Sequence, residues 1–436
     1  MNGAHVGTWS TAPHGLEILQ YAEEWRDGPH GRQLSMSLPL LAGGQALRGE
    51  VVRNYFENLL PDSKQMRERI ARRHHTPSTQ AFDLLAEVGR DCAGALQILP
   101  FGTVPDGVTA VNATPLTDKE VAAQLRNMLA PAPLAHPEDD DFRISIAGAQ
   151  EKTALTFFNG RWCLPHGSTP TTHILKLPLG LVGGQQFDLR DSVENEWLCA
   201  QILRAFGLPM AECQPLQFDD MKVLSVTRFD RSWWTAPQGD QRLVRLPQED
   251  MCQAMGAPPW LKYESDGGPG MGDLFKLLRS SSARAEDLLA FFQAQVLFWM
   301  LCATDGHAKN FSIFLQPGGS YRMTPLYDVL SAYPILGKRA GQLSPFKAKM
   351  AMAVRSTTAH YRMREILRRH FVTLGERQGV VGARGETVDQ LLESIADRTP
   401  GVISSVSALL PKDFPAYVAE TIFQGLEQTA KKLKRG

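Results

Sequence analysis

The sequence predicts an α+β fold in which a β-rich lobe precedes a mainly helical lobe. Short β-like apolar runs follow one another between residues 143 and 246, which is typical of strands. From about Leu274 onward the apolar residues mostly recur at the helical period. A proline-punctuated, acidic stretch at residues 131–141 is typical of a linker. We therefore predict an N-terminal subdomain over residues 1–137, a β-rich lobe over 138–258 and a helical lobe over 259–436.

The N-terminal subdomain is expected to mix one strand with several helices. Residues 34–41 have the composition of a strand, and Pro39 would place it at a sheet edge. Helical periodicity is clearest at Ala81–Cys92. Two further helices are predicted at Val51–Leu59 and Lys64–His75.

The β-rich lobe is predicted to contain a series of short strands and one helix. The helix begins near Asp191 or Ser192, either of which can cap it, and ends near Phe206. Farther along, the helical lobe is expected to be interrupted in one place only, by strands at Phe311–Leu315 and Tyr321–Leu326. The strands predicted before that point are 143–146, 153–158, 161–164, 172–177, 215–218, 223–228 and 242–246.

The composition of the chain limits the classes of function that it can have. Lysine plus arginine and aspartate plus glutamate both number 46, so the formal charge is zero. A protein that mainly coats nucleic acid is normally basic. The first residues lack a basic and apolar leader, and the apolar runs are shorter than a membrane span. The six cysteines form no CxxC pair, which favours free thiols in a reducing compartment. We expect a cytoplasmic protein without a membrane association.

The segment from Thr304 to Asn310 carries the most specific chemical signal. Phosphoryl transfer to a hydroxyl needs one carboxylate to accept its proton, and an amide oxygen with a second carboxylate to hold the metal ion. Asp305 and Asn310 have the Asp-x-x-x-x-Asn spacing of a protein-kinase catalytic loop, and Asp328 follows the second predicted strand. The alternative interpretation is that Asp305 and Asn310 only cap turns or helix ends, as these residue types commonly do.

The β-rich lobe offers partners for a nucleotide. Lys176 is a lone charge in an apolar strand, and the following helix bears Glu194 and Glu196, so a lysine–glutamate pair is available to steady the lysine. Glu196 is the better candidate because the residues beside it have a core-facing pattern. The segment Val226–Asp230 ends a strand before a loop, as a hinge that binds adenine by backbone groups and an aromatic or apolar wall would. An ordinary strand lysine is the competing interpretation of Lys176.

A run of small residues precedes Lys176. The segment Ser145–Thr153 joins two strand-like runs, and its small residues would let backbone N–H groups approach phosphate oxygens. The pattern is neither a Walker A loop nor GxGxxG, so a tight hairpin is an equally good interpretation.

Taken together, these segments resemble the HipA family of kinase toxins. The resemblance is carried by RISIAGAQEKTAL at 143–155, TTHILKLP at 171–178, LPQEDMC at 246–252, KYESDGGPG at 262–270, ATDGHAKNF at 303–311 and TPLYDVLSA at 324–332. It runs from about residue 30 to beyond residue 410. At Thr227 the sequence departs from the family, which has a carboxylate there.

The resemblance implies a fold, a cofactor and a set of site residues. The fold would be a divergent eukaryotic-type protein kinase with an extra N-terminal subdomain on its small lobe. Asp305 would be the catalytic base, with Asn310 and Asp328 holding Mg²⁺, Glu196 supporting Lys176, and Ser145 the autophosphorylation site. The residues expected to bind ATP are Ala147, Gly148, Ala149, Gln150, Glu151, Lys152, Lys176, Thr227, Phe229, Gln248, His307, Lys309 and Tyr327.

The resemblance also implies partners. A dimeric helix-turn-helix antitoxin of the HipB type would neutralise the kinase and hold it on operator DNA, repressing the operon. The substrate class would be the bacterial translation machinery, with glutamyl-tRNA synthetase the leading candidate, and its phosphorylation would cause dormancy and drug tolerance. Two alternatives stay open: a small-molecule kinase of the same fold, and a regulatory module on DNA that has lost catalysis. Because the chain is neutral, contact with DNA is expected mainly through the antitoxin.

Overall fold

A computed structural model of the protein describes residues 1–129, 147–148, 150–235 and 241–435. Helices and strands are both abundant, as the predicted α+β class requires. The helices are α1 Glu23–Arg26, α2 Glu50–Glu57, α3 Lys64–Arg73, α4 Ala81–Val88, α5 Asp118–Leu129, α6 Ser192–Ala205, α7 Met251–Ala254, α8 Met271–Leu278, α9 Arg284–Met300, α10 Arg368–Gln378, α11 Val388–Ser407 and α12 Ala416–Arg435.

The strands lie between residues 7 and 362 and are interspersed with these helices. They are β1 Gly7–Thr11, β2 Glu17–Tyr21, β3 Leu47–Arg48, β4 Ala113–Pro115, β5 Lys152–Phe158, β6 Arg161–Pro165, β7 His173–Lys176, β8 Gly180–Val182, β9 Phe187–Leu189, β10 Cys213–Phe218, β11 Met221–Thr227, β12 Arg231–Thr235, β13 Gln241–Arg245, β14 Gln248–Asp250, β15 Ser312–Leu315, β16 Tyr321–Met323, β17 Lys349–Arg355 and β18 Ala359–Arg362.

The chain divides into two compact units. Unit 1 comprises Met1–Leu177, Leu216–Trp260 and Ile313–Ser320, and unit 2 comprises Pro178–Pro215, Leu261–Ser312 and Tyr321–Gly436. The predicted linker and the strand predicted at 143–146 lie outside the described residues. The division into three parts near residues 137 and 258 therefore stays a prediction.

The N-terminal part of unit 1 has its own hydrophobic core. Strands β1, β2 and β3 form an antiparallel sheet in that order. Against it pack α2 and α4 through fully buried side chains such as Val52 and Leu84. Trp9 stacks on Phe56 with ring centroids 3.7 Å apart. The predicted helices at 51–59, 64–75 and 81–92 are confirmed, with ends within a few residues of those expected.

The strand predicted at residues 34–41 is wrong. The segment is a turn in which the Leu38 N–H donates to the Ser35 carbonyl at 3.0 Å. The Tyr21 hydroxyl accepts from the Leu34 N–H at 2.7 Å and donates to the Leu38 carbonyl at 2.5 Å. A buried phenol thus satisfies the backbone groups that a neighbouring strand would otherwise have paired.

A six-stranded sheet forms the second part of unit 1, in the order β10-β11-β7-β5-β6-β4. Helix α5 covers it, because Val121 and Leu125 share a buried cluster with Leu155, Leu175 and Val223. The strands predicted at 153–158, 161–164, 172–177, 215–218, 223–228 and 242–246 are confirmed.

A buried ionic cluster joins the two parts of unit 1. Asp91 accepts from Arg228, Arg231 and Arg245 at 3.1, 2.9 and 3.0 Å, and Asp230 accepts from Arg228 at 2.8 Å. Burial alone would raise the pKa of Asp91, but the three guanidinium groups hold it well below its ordinary value. Removing one member of such a cluster leaves an uncompensated buried charge, which is strongly destabilising.

Unit 2 is built around α9. After its exposed first turn, this helix is mostly apolar and mostly buried. Helix α11 packs on α12, and α6 packs against both. The Trp299 indole donates to the Met363 carbonyl at 2.9 Å, which fixes α9 to the chain that precedes α10.

The prediction that the helical lobe is interrupted only once is wrong. Besides the expected strands β15 and β16, strands β17 and β18 form an antiparallel pair. All five central residues of β17, from Met350 to Val354, are buried, so the period-two alternation of a half-exposed strand is missing. Methionine and alanine also favour helix on propensity alone.

Two compositional expectations can be compared with the structure. All six cysteines are free thiols, and only Cys213 is not fully buried. Within the part of the chain that the structure describes, no helix is long and apolar enough to span a bilayer.

Candidate active site

The predicted catalytic loop follows directly from the end of α9. Helix α9 closes with the Ala303 N–H donating to the Phe298 carbonyl at 2.8 Å. A Cβ atom added at Gly306 would lie 2.5 Å from Phe298 Cδ2, so only glycine fits where the loop passes over this buried ring. The loop therefore depends on contact with the helix core for its position.

Backbone groups around Asp305 fix the course of the loop. Its carbonyl accepts from the His307 N–H at 2.8 Å and from the Asn310 carboxamide at 2.8 Å. The Asp305 side chain is 58% exposed, and its Oδ1 accepts a hydrogen bond from the Tyr263 hydroxyl. An exposed carboxylate on a fixed loop is suited to receive a proton from an incoming hydroxyl.

The other polar residues of the loop are buried. His307, Lys309 and Asn310 are 4, 6 and 5% exposed. A short 3₁₀ turn over Ala308–Asn310 holds them, with the Asn310 N–H donating to the His307 carbonyl at 2.9 Å. Because the Asn310 amide nitrogen is engaged with the Asp305 carbonyl, its amide oxygen remains as an acceptor or metal ligand.

The segment bearing Asp328 is fastened to the same loop. The Tyr327 hydroxyl donates to the Lys309 carbonyl at 2.9 Å. After Asp328, the Ser331 hydroxyl donates to the Leu301 carbonyl at 2.6 Å, at the end of α9. Asp328 has φ +60°, a left-handed conformation that is uncommon for a residue other than glycine and clusters at functional sites. Unit 2 thus brings the segments of Asp305, Asn310 and Asp328 together, as predicted.

Glu196 lies in unit 2, on α6. It is 5% exposed. Its neighbour Asn195 donates to the Ser331 carbonyl at 2.8 Å and accepts from the Ser331 N–H at 2.9 Å. Helix α6 is therefore bonded to the chain that follows Asp328. Lys176 belongs to unit 1, and its pairing with Glu196 stays a prediction.

Two lysines face each other on neighbouring strands of unit 1. Lys176 of β7 is 5% exposed and lies directly opposite Lys152 of β5 in the antiparallel register. Like charges directly opposite destabilise a sheet. Contact of these two lysines with phosphates stays a prediction.

The small-residue segment before β5 is anchored to the N-terminal part of unit 1. Gly148 has φ +112°, and its carbonyl accepts from the Asp62 N–H at 3.1 Å. Arg69 pairs with the Glu151 carboxylate, and the Gln150 amide donates to the Leu177 carbonyl at 2.6 Å. Ala147 precedes Gly148 and is partly exposed. Ala149 and Ser145 lie outside the described residues.

The predicted adenine contacts also lie in unit 1. Thr227 ends β11 opposite His173, and the Phe229 ring meets Phe314 edge to face with centroids 5.8 Å apart. The Gln248 Oε1 atom is buried and accepts no hydrogen bond from any described residue. A buried oxygen that accepts no hydrogen bond costs free energy unless a ligand donates to it.

Two features of the site were not predicted from sequence. Tyr263 lies within the motif KYESDGGPG, but nothing in that motif indicates a hydrogen bond to Asp305, which is 42 positions away in sequence. The buried ionic cluster of unit 1, which includes Arg228 next to Thr227, was not predicted either. The spacing of Arg228, Asp230 and Arg231 within four residues is the signal that could have indicated it.

The donor set fits a magnesium–nucleotide complex better than a metal ion alone. Among the described residues, no three His, Cys, Asp or Glu side chains cluster as a metal site. Mg²⁺ bound with nucleotides takes only one or two protein carboxylates, and phosphates and water complete its coordination. Asp328 with the Asn310 amide oxygen matches that requirement.

Comparison with known proteins identifies the relatives. The HipA N-terminal domain matches residues 1–99, and the HipA-like C-terminal domain matches residues 144–403. The proposed kinase Y4mE of Sinorhizobium fredii is 35% identical over 363 residues, which are 81% of this chain and 79% of that protein. The serine/threonine-protein kinase toxin HipA of Shewanella oneidensis is 28% identical over 351 residues, which are 77% of this chain and 73% of that protein.

A solved structure has the same fold. HipA in the Shewanella oneidensis complex of HipA, HipB and operator DNA superposes with a TM-score of 0.76 at 24% identity, covering 98% of this chain and 95% of that one. The expected kinase-like α+β fold and the expected enzyme class, a serine/threonine protein kinase, are confirmed. The chain belongs to the HipA family.

Proposed function

We propose that this protein transfers the γ-phosphate of ATP to a serine hydroxyl of another protein. The observation that carries the proposal is the bonded catalytic loop of unit 2, with an exposed Asp305 and buried Asn310 at kinase spacing. In this role Asp305 accepts the proton of the substrate hydroxyl. Lys176 and Lys152 would contact phosphates, while Gln248, Thr227, Phe229, His307, Lys309 and Tyr327 would help bind nucleotide.

Magnesium completes the proposal. Asn310 and Asp328 would hold Mg²⁺, which when bound neutralises charge on the phosphates. The left-handed backbone at Asp328 supports this role, because such a conformation persists only where the surrounding structure enforces it.

We further propose that the kinase is the toxin of a toxin–antitoxin pair. The Shewanella relative is named as a toxin, and the superposed HipA is in a complex with HipB and operator DNA. By analogy, a HipB-type helix-turn-helix dimer would neutralise this chain and hold it on its operator, repressing the operon in the bacterial cytoplasm near the nucleoid. Glutamyl-tRNA synthetase is the leading substrate candidate, and its phosphorylation would arrest growth and favour persistence.

Asp305→Ala tests the chemistry. We expect it to lower phosphotransfer by about 10²–10⁴-fold, because that is the usual contribution of a general base. ATP affinity should change little, since other groups hold the nucleotide. The measurement is transfer of labelled phosphate from ATP to protein in a cell lysate, with ATP binding by calorimetry. Asp328→Ala should lose Mg²⁺-dependent ATP binding as well. Near-wild-type transfer by Asp305→Ala would exclude Asp305 as the base.

We also propose that phosphorylation of Ser145 switches the enzyme off. Ser145 precedes the small-residue segment expected over the phosphates, and a phosphoserine there would add about −1.5 to −2 charges that repel ATP. After incubation with excess ATP, mass spectrometry should place the phosphate on Ser145, and ATP affinity should fall. Modification elsewhere, or unchanged ATP binding by the Ser145-phosphorylated protein, would contradict the switch.

A further inference from the structure

We propose that Tyr263 is a positioning residue that orients the catalytic base Asp305. The inference rests on the proposed kinase function and assigns a role to a residue outside the predicted site. The Tyr263 hydroxyl donates to Asp305 Oδ1, and His307 Nε2 lies 3.9 Å from the same oxygen. The other oxygen, Oδ2, is then the one presented to the substrate hydroxyl.

Asp305 needs such an orienting group. Its carboxylate is 58% exposed, so it has little packing to select one rotamer. A carboxylate that rotates freely points a lone pair at the substrate for only part of the time. General bases in enzymes are commonly held by a third group that fixes their direction.

Tyr263 itself is held firmly. Its carbonyl accepts from the Asp266 N–H at 3.1 Å and from the Gly268 N–H at 3.0 Å. The next residue, Glu264, accepts from the Ala353 N–H of β17 at 2.6 Å and pairs with Arg355.

Glycine at position 268 is required for this arrangement. A Cβ added at Gly268 would lie 1.6 Å from the Leu261 carbonyl oxygen and 2.9 Å from that of Tyr263. The turn that carries Tyr263 is therefore built for close backbone approach, and the phenol extends from a rigid base.

The Tyr263 turn and the catalytic loop are also bonded to each other. The Ala308 N–H donates to the Lys262 carbonyl at 3.3 Å. The Tyr263 ring meets the His307 ring edge to face, with centroids 4.9 Å apart. Three contacts from one short turn thus converge on the catalytic loop, and the hydroxyl is the one that reaches the reacting carboxylate.

The proposed step transfers one proton and one phosphoryl group. Asp305 Oδ2 takes the proton of the substrate hydroxyl while the substrate oxygen bonds to the γ-phosphorus, and the bond from that phosphorus to the leaving oxygen of ADP breaks. Tyr263 keeps its proton throughout and donates to Oδ1 before and after the step. It is therefore a positioning residue rather than a proton carrier.

The first test distinguishes the contribution of the Tyr263 hydroxyl to kcat from that of the Tyr263 ring. Tyr263→Phe keeps the contact with His307 and should lower kcat about 10-fold, a part of what a general base contributes, with KM for ATP unchanged. Glutamyl-tRNA synthetase is the acceptor in this assay. If that protein is not phosphorylated by the wild type, the labelled lysate band replaces it. Para-aminophenylalanine at 263 restores an N–H donor and should recover most of kcat, whereas para-methoxyphenylalanine should not.

A double-mutant cycle tests the dependence on Asp305. In an Asp305→Ala background, Tyr263→Phe should have no further effect on kcat, because the group that it orients is gone. Tyr333→Phe is the matched control, since its hydroxyl donates to the Met300 and Gly425 carbonyls elsewhere in unit 2. It should leave kcat within about twofold of wild type.

A measurement without nucleotide completes the experiment. With 3-fluorotyrosine at 263, the ¹⁹F resonance of the nucleotide-free protein should shift on Asp305→Ala. An unshifted resonance, or Tyr263→Phe with unchanged kcat, would overturn the inference. A lower KM for the protein acceptor at unchanged kcat would also overturn it, since the hydroxyl would then occupy the substrate's place. If the wild type transfers no phosphate, the proposed function fails, while the ¹⁹F comparison still reports on the bond.

Discussion

Glu249 is a carboxyl group with no exposed surface in the interior of unit 1. Its Oε1 accepts from the Met36 N–H at 2.8 Å, and its Oε2 has no hydrogen-bond partner among the described residues. Burial raises the pKa of Glu249 to about 8, an effect larger than the opposing one of the hydrogen bond from Met36. The folded protein therefore keeps this group protonated at neutral pH.

The consequence is a stability that falls with pH. Between the ordinary glutamate pKa of 4.5 and the folded value of about 8, the unfolded chain ionises while the folded one does not. The free energy of unfolding therefore decreases over that window, by on the order of 5 kcal/mol, and levels off above it. Glu249→Gln keeps the acceptor for Met36 and removes this dependence.

In urea unfolding, we expect the free energy of unfolding of Glu249→Gln to increase relative to that of the wild type as pH rises from 5 to 8. The exposed Glu24→Gln is the control and should track the wild type at each pH. A constant difference between Glu249→Gln and wild type across that range would show that Glu249 does not titrate as its burial implies.

At this scale, sequence reasoning found the residues whose chemistry needs a fixed spacing. Asp305 and Asn310 are close in sequence, and the structure bonds them to one another through the Asp305 carbonyl. Tyr263 could not be found in this way, since its partner is distant in sequence and tyrosines are common in cores. Glu249 gave no signal either, because burial of a carboxyl group depends on packing that one sequence does not reveal.

At the scale of elements, the catalytic loop depends on the helix that precedes it. Helix α9 is buried, and Phe298 lies beneath Gly306. Phe298 is 2% exposed, so it has little room to move. A methyl group at position 306 must therefore displace the loop rather than the ring.

Gly306→Ala is expected to destabilise the protein by about 1–3 kcal/mol, the usual cost of overpacking. It should also lower kcat, because the shift moves Asp305. Gly272→Ala on α8 is the control, with nothing within 4 Å of the added Cβ, and it should be neutral or stabilising. Thermal unfolding and phosphate transfer are the two measurements. Wild-type kcat in Gly306→Ala would mean that the loop does not rely on this contact.

Helices and strands whose apolar residues recur with a clear period could be predicted from the sequence. Elements whose structure depends on tertiary contacts could not. Helix α4 and strands β5 to β7 follow their patterns. Strand β17 is buried except at its two end residues, and the turn at residues 34–41 depends on the Tyr21 hydroxyl, which is distant in sequence. Both errors arise where tertiary contacts override local propensity.

At the scale of the whole molecule, the net charge of the chain and its family membership favour different expectations about contact with DNA. The chain is neutral, with 46 basic and 46 acidic residues, so it has no overall charge to draw it to DNA. Its HipA relative nevertheless superposes from a complex that contains operator DNA. Under the proposed function, an antitoxin of the HipB type would bring the chain to the operator, and toxicity and repression would then be separable properties.

The last prediction uses that separation in living cells. Expression of the wild type should stop bacterial growth because a translation protein is phosphorylated, and Asp305→Ala or Asp328→Ala should not stop it. Tyr333→Phe, which keeps the catalytic loop intact, should arrest growth like the wild type. Co-expression of the proposed HipB-type antitoxin should restore growth without changing the amount of kinase. The inactive variants should still repress an operator-driven reporter together with the antitoxin, because binding on DNA requires the fold and not the chemistry.

If the inactive variants arrest growth as strongly as the wild type, toxicity does not come from phosphotransfer, and the regulatory-module alternative would replace the kinase toxin.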